Sequence, residues 1–264
     1  MRNATCNPVA TRAGGGDQRS TRVLRAPTCF TETDPKLSLA RRTMVEGIGT
    51  LILLFVATAT GLATSQRISG DPGVGSIASA AAIPGTVVAL VLAFGAVSGG
   101  HFNPLITALQ WLGGERSRIC AAAYVAAQFV GAVAGAWLAN VVFEATREVQ
   151  PIVVHALWVP SEIVASAGLL IVVFGCARSG RVETGPFGVG LWLFAAAIAL
   201  PSTYLNPALT VGSMIAAGPF GRSAQVALPY LPSQIAGALI AFAVICAAYP
   251  KGVARHAMRR AAVQ

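Results

Sequence analysis

Apolar residues in this chain come in long unbroken runs, not in the alternation of a half-buried strand or the one-sided stripe of a surface helix. Six runs cover approximately 43–64, 79–99, 119–143, 160–177, 186–201 and 228–249. About 20 apolar residues cross a hydrocarbon core roughly 30 Å thick as a helix, so the pattern predicts six membrane-spanning helices. The run at 186–201 is short for this and extends back to about Val182. The pattern is interrupted at two equivalent places. Asn103-Pro104-Leu105 lies between runs two and three, and Asn206-Pro207-Ala208 between runs five and six. Each tripeptide opens a further apolar segment, 103–112 and 206–217, closed by Gly113-Gly114 and by Gly218-Pro219. Asn is a strong N-cap and Pro is tolerated at the first helical position. Each segment therefore predicts a helix of about 10 residues, roughly 15 Å or half a membrane. Two half-helices whose positive ends meet near the middle of a bilayer point to a pore.

The two halves repeat. Glu46 opens the first run and Glu162 the fourth. Ala127-Gln128-Phe129-Val130-Gly131-Ala132 in the third run matches Ser233-Gln234-Ile235-Ala236-Gly237-Ala238 in the sixth. With three spans per half, the second half is inserted upside down, which places a functional site at the midplane interface. Irregular backbone leading into Asn103 and Asn206 must be buried in protein or line water. The fold class is thus an all-α polytopic membrane protein, with six transmembrane helices and two half-helices in an inverted repeat.

Composition agrees. The chain is 55% hydrophobic and 11% charged, too little charge to cover a soluble protein of 264 residues. Its net charge of +9 does not imply nucleic acid, because the basic residues flank the apolar runs. With the N-terminus inside, 16 of the 19 Lys and Arg fall on the cytosolic side and only Arg67, Arg147 and Arg222 outside. This asymmetry predicts a multi-pass protein of the plasma membrane with both termini cytosolic. Residues 1–42 carry eight basic residues and Gly14-Gly15-Gly16 but no apolar signal core, so they read as a disordered basic tail. Residues 43–249 form the membrane domain and 250–264 a second basic tail. The five cysteines show no metal-site or disulfide spacing. No metal, cofactor or nucleophile–base pair is expected, and hence no enzyme activity.

The chemistry of the Asn pair follows from its position. Each Asn carbonyl caps its own half-helix, which leaves the amide N–H groups of Asn103 and Asn206 to face the lumen as donors. Two facing positive dipole ends disfavour protons and cations. Glu46 and Glu162, as intramembrane carboxylates, are candidate functional groups. His155 and His256 have no ligand partner at a recognisable spacing.

These residues resemble the aquaporins, the major intrinsic protein family. The resemblance covers about 43–249 and rests on Ser98-Gly99-Gly100-His101-Phe102-Asn103-Pro104, on Asn206-Pro207-Ala208, on both glutamates and on both Gln-x-x-Gly pairs. It implies a helical bundle with one pore per protomer, assembled as a homotetramer. It also implies that Glu46 and Glu162 are buried acceptors holding the N–H groups of the irregular loops. His101 takes a position that faces the cytosolic vestibule and gates it, or else serves as a packing histidine.

The departures bear on the solute. The family usually carries Arg three residues after the second Asn, where this chain has Leu209. The other selectivity-filter positions map by ungapped counting to Ile83, Phe194 and Thr203, with Ile83 and Phe194 fixed to within one residue. The constriction loses its fixed cation and becomes more apolar, and Leu105 in place of Ala adds bulk near the asparagines. An arginine-free filter resembles a bacterial aquaglyceroporin subgroup associated with arsenic resistance. The expected function is a passive channel for small uncharged solutes: glycerol-like polyols, undissociated metalloid acids and water. Its partners are a small neutral solute and the lipid bilayer, with no nucleic acid. Alternatives are an orthodox-like water channel, an ion-leak channel owing to the missing arginine, and a non-conducting structural protein.

Overall fold

The structure is a computed structural model that describes residues 30–34, 36–67, 72–147 and 156–249. Most of both expected tails, together with His155 and His256, lies outside the described residues. Every regular element among the described residues is helical: α1 (Leu39–Arg67), α2 (Pro72–Ser98), α3 (Pro104–Leu112), α4 (Arg118–Val142), α5 (Trp158–Arg178), α6 (Gly185–Ala199), α7 (Pro207–Ser213), a 3-10 turn (Gly218–Phe220), α8 (Ala224–Ala227) and α9 (Tyr230–Ala248). Helices α1, α2, α4 and α5, and the α8–α9 stretch, are long and apolar enough to cross a membrane. At 15 residues, α6 is shorter, about 22 Å at the helical rise. The chain leaves the helix at Leu200 in extended conformation and runs on without regular structure to Asn206. The outward faces carry Val130, Trp137, Leu191 and Ile198, large apolar side chains left exposed, as a lipid-facing surface requires.

The inverted repeat is visible in the packing. Helix α1 lies against α4 and α2, α5 lies against α9 and α6, and α2 meets α6 across the two halves. The half-helices also reach across: α3 touches α9 and α5, α7 touches α4 and α1, and the two meet each other. The Gln-x-x-Gly glycines make the close crossings possible. A Cβ on Gly131 would stand 2.2 Å from the Gly47 carbonyl oxygen, and one on Gly237 2.5 Å from that of Ile163. No side chain fits in either place.

Four expected boundaries and the cysteine reading need correction. Helix α6 starts at Gly185, not Val182, because Pro186 lacks a donor and suits a first turn. Helix α2 starts at Pro72, seven residues early, with proline again in its first turn. The second half-helix ends at Ser213 instead of running to 217. There Asn140 of α4 intervenes, its Nδ2 donating to the Ile215 carbonyl and its Oδ1 accepting from Ala217 N, both at 2.9 Å. The tail boundary at 42 falls inside α1. Phe30 is buried, Thr33 N donates to the Ala96 carbonyl at 3.0 Å, and Arg42 is fully buried against Glu32. Cys120 is disulfide-bonded, whereas Cys176 and Cys246 are free.

Candidate functional site

Each half-helix begins as its tripeptide dictates. Asn103 and Asn206 are extended N-caps whose side chains accept from the N–H two residues on, Leu105 and Ala208, both at 2.9 Å. The amides do more than face the lumen. Asn103 Nδ2 donates to the Leu205 carbonyl at 3.0 Å, and Asn206 Nδ2 to the Phe102 carbonyl at 2.8 Å. One N–H of each amide is therefore spent on the opposite half, and both asparagines also line the cavity. The accepting residues, Phe102 and Leu205, have φ of 45° and 40°. Left-handed backbone at a bulky residue costs about 1–3 kcal/mol and persists only where surroundings over-determine it.

Glu46 and Glu162 supply those surroundings. Glu46 Oε1 accepts from Ser98 Oγ at 2.7 Å and His101 N at 3.0 Å, and its Oε2 from Phe102 N at 2.7 Å and Gln128 Nε2 at 2.9 Å. Glu162 repeats this with Ser202 Oγ (2.7 Å), Tyr204 N (2.7 Å), Leu205 N (2.8 Å) and Gln234 Nε2 (2.8 Å). Both carboxylates are fully buried, with four donors each to offset the lost hydration. The same glutamines donate to Thr107 Oγ1 (3.1 Å) and Thr210 Oγ1 (2.9 Å) in the half-helices. A carboxylate, a glutamine and a threonine thus bind loop, spanning helix and half-helix together in each half.

A cavity of about 640 Å³ runs along these elements. Asn103 and Asn206 line it, as do Ile83, Thr203, Leu209 and His101. Phe194 and Leu105, both expected at the wall, do not. Phe194 is 42% exposed on the outer surface of α6, and its neighbour Leu193 lines the cavity with Val189 and Ala197 on the same helical face. Ungapped counting was therefore off by one residue, or about 100° of helix rotation. Leu105 packs into the apolar core while the next residue, Ile106, reaches the cavity, so Leu105 adds no bulk there. Pro104, Pro207 and Ala208 are likewise buried away from the lining.

The His101 ring is committed at both nitrogens. Nδ1 lies 2.9 Å from Thr107 Oγ1 and Nε2 3.2 Å from the Phe30 carbonyl. Arg116 Nη2 lies 3.4 Å from the same Nε2, so a carbonyl acceptor and a cationic donor both face that nitrogen. Sequence reasoning missed the polar cluster around it. Gln110 Nε2 also donates to the Phe30 carbonyl, at 2.7 Å. Arg116 donates to Gln110 Oε1 (2.6 Å) and the Ser98 carbonyl (3.1 Å), and pairs with Glu32 at 2.7 Å. In the sequence Arg42 and Arg116 read only as charges that set topology. The available signal was Glu32, an acid inside a basic segment.

Fold and site together define a membrane channel built of two inverted halves that meet at paired asparagines. Comparison with known proteins agrees. Residues 34–204 match the family described as Major intrinsic protein; the second Asn-Pro motif lies just beyond that stretch. Aquaglyceroporin AqpS of Rhizobium meliloti (strain 1021) is 33% identical over 180 residues, 67% of this chain and 76% of the relative. Aquaporin NIP6-1 of Arabidopsis thaliana is 32% identical over 218 residues, 78% of this chain and 68% of the relative. The X-ray structure of the aquaglyceroporin from Plasmodium falciparum has the same fold, with a TM-score of 0.62 at 18% identity. It covers 82% of this chain and 97% of that one. This chain belongs to the major intrinsic protein family.

Proposed function

We propose that this channel passes small uncharged solutes of polyol size, with undissociated metalloid acids in the same class, and water as a lesser cargo. The observation that carries the reading is Leu209. It sits in the first turn of α7 and lines the cavity with Ile83, Leu193 and Thr203, so this stretch of wall holds three aliphatic side chains and one hydroxyl. An apolar wall tolerates the carbon side of a polyol, while Thr203 and the free amide protons of Asn103 and Asn206 meet its hydroxyls. The name of the Rhizobium meliloti relative, an aquaglyceroporin, supports the same solute class. The deciding experiment is stopped-flow swelling of proteoliposomes in glycerol, urea, arsenous acid and water. Glycerol and arsenous acid fluxes well above protein-free vesicles support the reading. Water flux alone makes the protein an orthodox-like water channel.

The channel is read as a homotetramer in the plasma membrane with both termini cytosolic. The bias of 16 basic residues to 3 supports the orientation, and family membership supports the tetramer. Reporter fusions after Gln66 and Gln150 should be external and fusions after Gly114 cytosolic. Mass measurement in detergent should give four chains.

A further inference from the structure

We propose that Arg222 is the specificity-determining residue that keeps cations out of this pore, a role that rests on the channel reading above. Among the described residues that line the cavity, none is Asp, Glu or Lys, and Arg222 is the one permanent charge. It lies 13 residues beyond Leu209 in the chain, yet the fold returns it to the same cavity. After α7 ends, Gly218 at φ +66° and the 3-10 turn reverse the chain. Arg222 N then donates back to the Ser213 carbonyl at 2.9 Å.

The guanidinium is fixed in place. Its Nη1 donates to the Pro219 and Gly221 carbonyls, both at 2.8 Å. Its carbon stands 5.6 Å from the centre of the Tyr204 ring. Tyr204 is itself anchored, with its hydroxyl donating to the Phe220 carbonyl and its N–H to Glu162 Oε1, both at 2.7 Å. The cation is thereby tied to the segment that carries Thr203 and Asn206. Arg147 Nη2 donates to the Arg222 carbonyl at 3.1 Å, which braces the same loop.

Among the described residues no carboxylate is paired with this charge. The ion pairs among the described residues use Glu32 and Glu115, and Glu162 has both oxygens taken by its four donors. An unpaired charge in a cleft with low-dielectric walls has its field focused along the cleft. A cation meets that field before it reaches the positive ends of α3 and α7, whereas a neutral solute does not. The charge missing at position 209 is supplied from the loop.

The test compares wild type, Arg222→Gln, Arg222→Met and Arg222→Lys in proteoliposomes, reading K⁺ permeability and glycerol swelling on the same preparations. Removing the charge should raise K⁺ permeability on the order of tenfold in low salt, less at about 1 M where the Debye length is roughly 3 Å. Glycerol flux should stay within about twofold. Arg222→Met keeps an unbranched stem on Tyr204 and gives the same reading if the Gln variant does not assemble. Arg222→Lys keeps the charge but loses the planar fork and should exclude K⁺ as wild type does. A Gln or Met variant with intact glycerol flux and wild-type K⁺ permeability overturns the proposal. So does a Lys variant that leaks as much as they do, or a wild-type K⁺-to-glycerol ratio that does not rise with salt. A wild type without glycerol flux instead rejects the solute reading, which the K⁺ measurement does not touch.

Discussion

Asn206 Nδ2 donates to the backbone carbonyl of Phe102 at 2.8 Å, across the boundary between the two halves of the channel. Asn103 returns the contact to Leu205 at 3.0 Å. The reciprocal pair fixes the separation of the two half-helix N-termini, and hence of the two remaining amide protons. An asparagine here serves two groups at once, its own helix and the opposite loop, while lining the cavity.

Asn206→Asp separates these duties. The carboxylate still accepts from Ala208 N, but its other oxygen now faces the Phe102 carbonyl without a proton between them. A lost buried donor costs about 1–3 kcal/mol, and the new negative charge reverses the local field. Thermal unfolding in detergent should shift down and K⁺ permeability should rise. Unchanged values for both would mean that the cross-half bond holds nothing.

Glu162→Gln tests the carboxylate. A glutamine can accept from two of the four donors but turns its own NH₂ towards the others. The expected result is a loss of assembled protein and about 1–3 kcal/mol of stability per unsatisfied donor. Molecules that do assemble should keep the wild-type ratio of glycerol to water flux. A fully stable variant with altered selectivity would make Glu162 a solute-contacting group instead.

Glu32→Gln probes the segment before α1. Arg42 and Arg116, both buried, share this carboxylate. Removing one partner of a buried ion pair leaves uncompensated charge and costs about 3–5 kcal/mol. Arg116 retains Gln110 and the Ser98 carbonyl, so the lower end is expected. Chemical denaturation of the purified channel would show it, and a shift under about 0.5 kcal/mol would assign Glu32 to the solvated surface.

How far the sequence led is clear from particular residues. Asn103-Pro104 and Asn206-Pro207 announced both half-helices because capping is local chemistry, set by one side chain and the next two residues. The inverted repeat was legible because Glu46, Gln128 and Gly131 recur as Glu162, Gln234 and Gly237. Their joint role, four donors on each carboxylate, depends on loops folding back over tens of residues, and no spacing encodes it. Phe194 was misplaced because rotation about a helix axis changes by about 100° per residue, and counting through a loop cannot hold that phase. Glu32 and Arg222 were missed for a different reason. A charged residue near a membrane span has a ready explanation as topology or solvation, and only the structure shows what it touches.

The corrected register gives a paired prediction. Leu193→Phe adds volume at the cavity wall and should cut glycerol flux severalfold more than water flux. Phe194→Ala, on the exposed face of α6, should leave both unchanged. The reverse pattern would restore Phe194 to the lumen and overturn the placement of α6.

Leu209→Arg addresses the solute class directly. The side chain lines the cavity from the first turn of α7, together with Ile83 and Leu193. An arginine there adds N–H donors that hold water and a second fixed charge beyond Arg222. It also fills space that a polyol uses. Glycerol and arsenous acid fluxes should fall severalfold while water flux changes less, and any residual K⁺ permeability should drop. Burial is the risk, since Leu209 is 4% exposed and a guanidinium at membrane depth costs about 2.5–3.5 kcal/mol on insertion scales. Assembly must therefore be measured beside flux. If a well-assembled variant kept the wild-type ratio of glycerol to water flux, Leu209 would not govern passage. The case for polyol-sized solutes would then have to rest on Ile83, Leu193 and Thr203 alone.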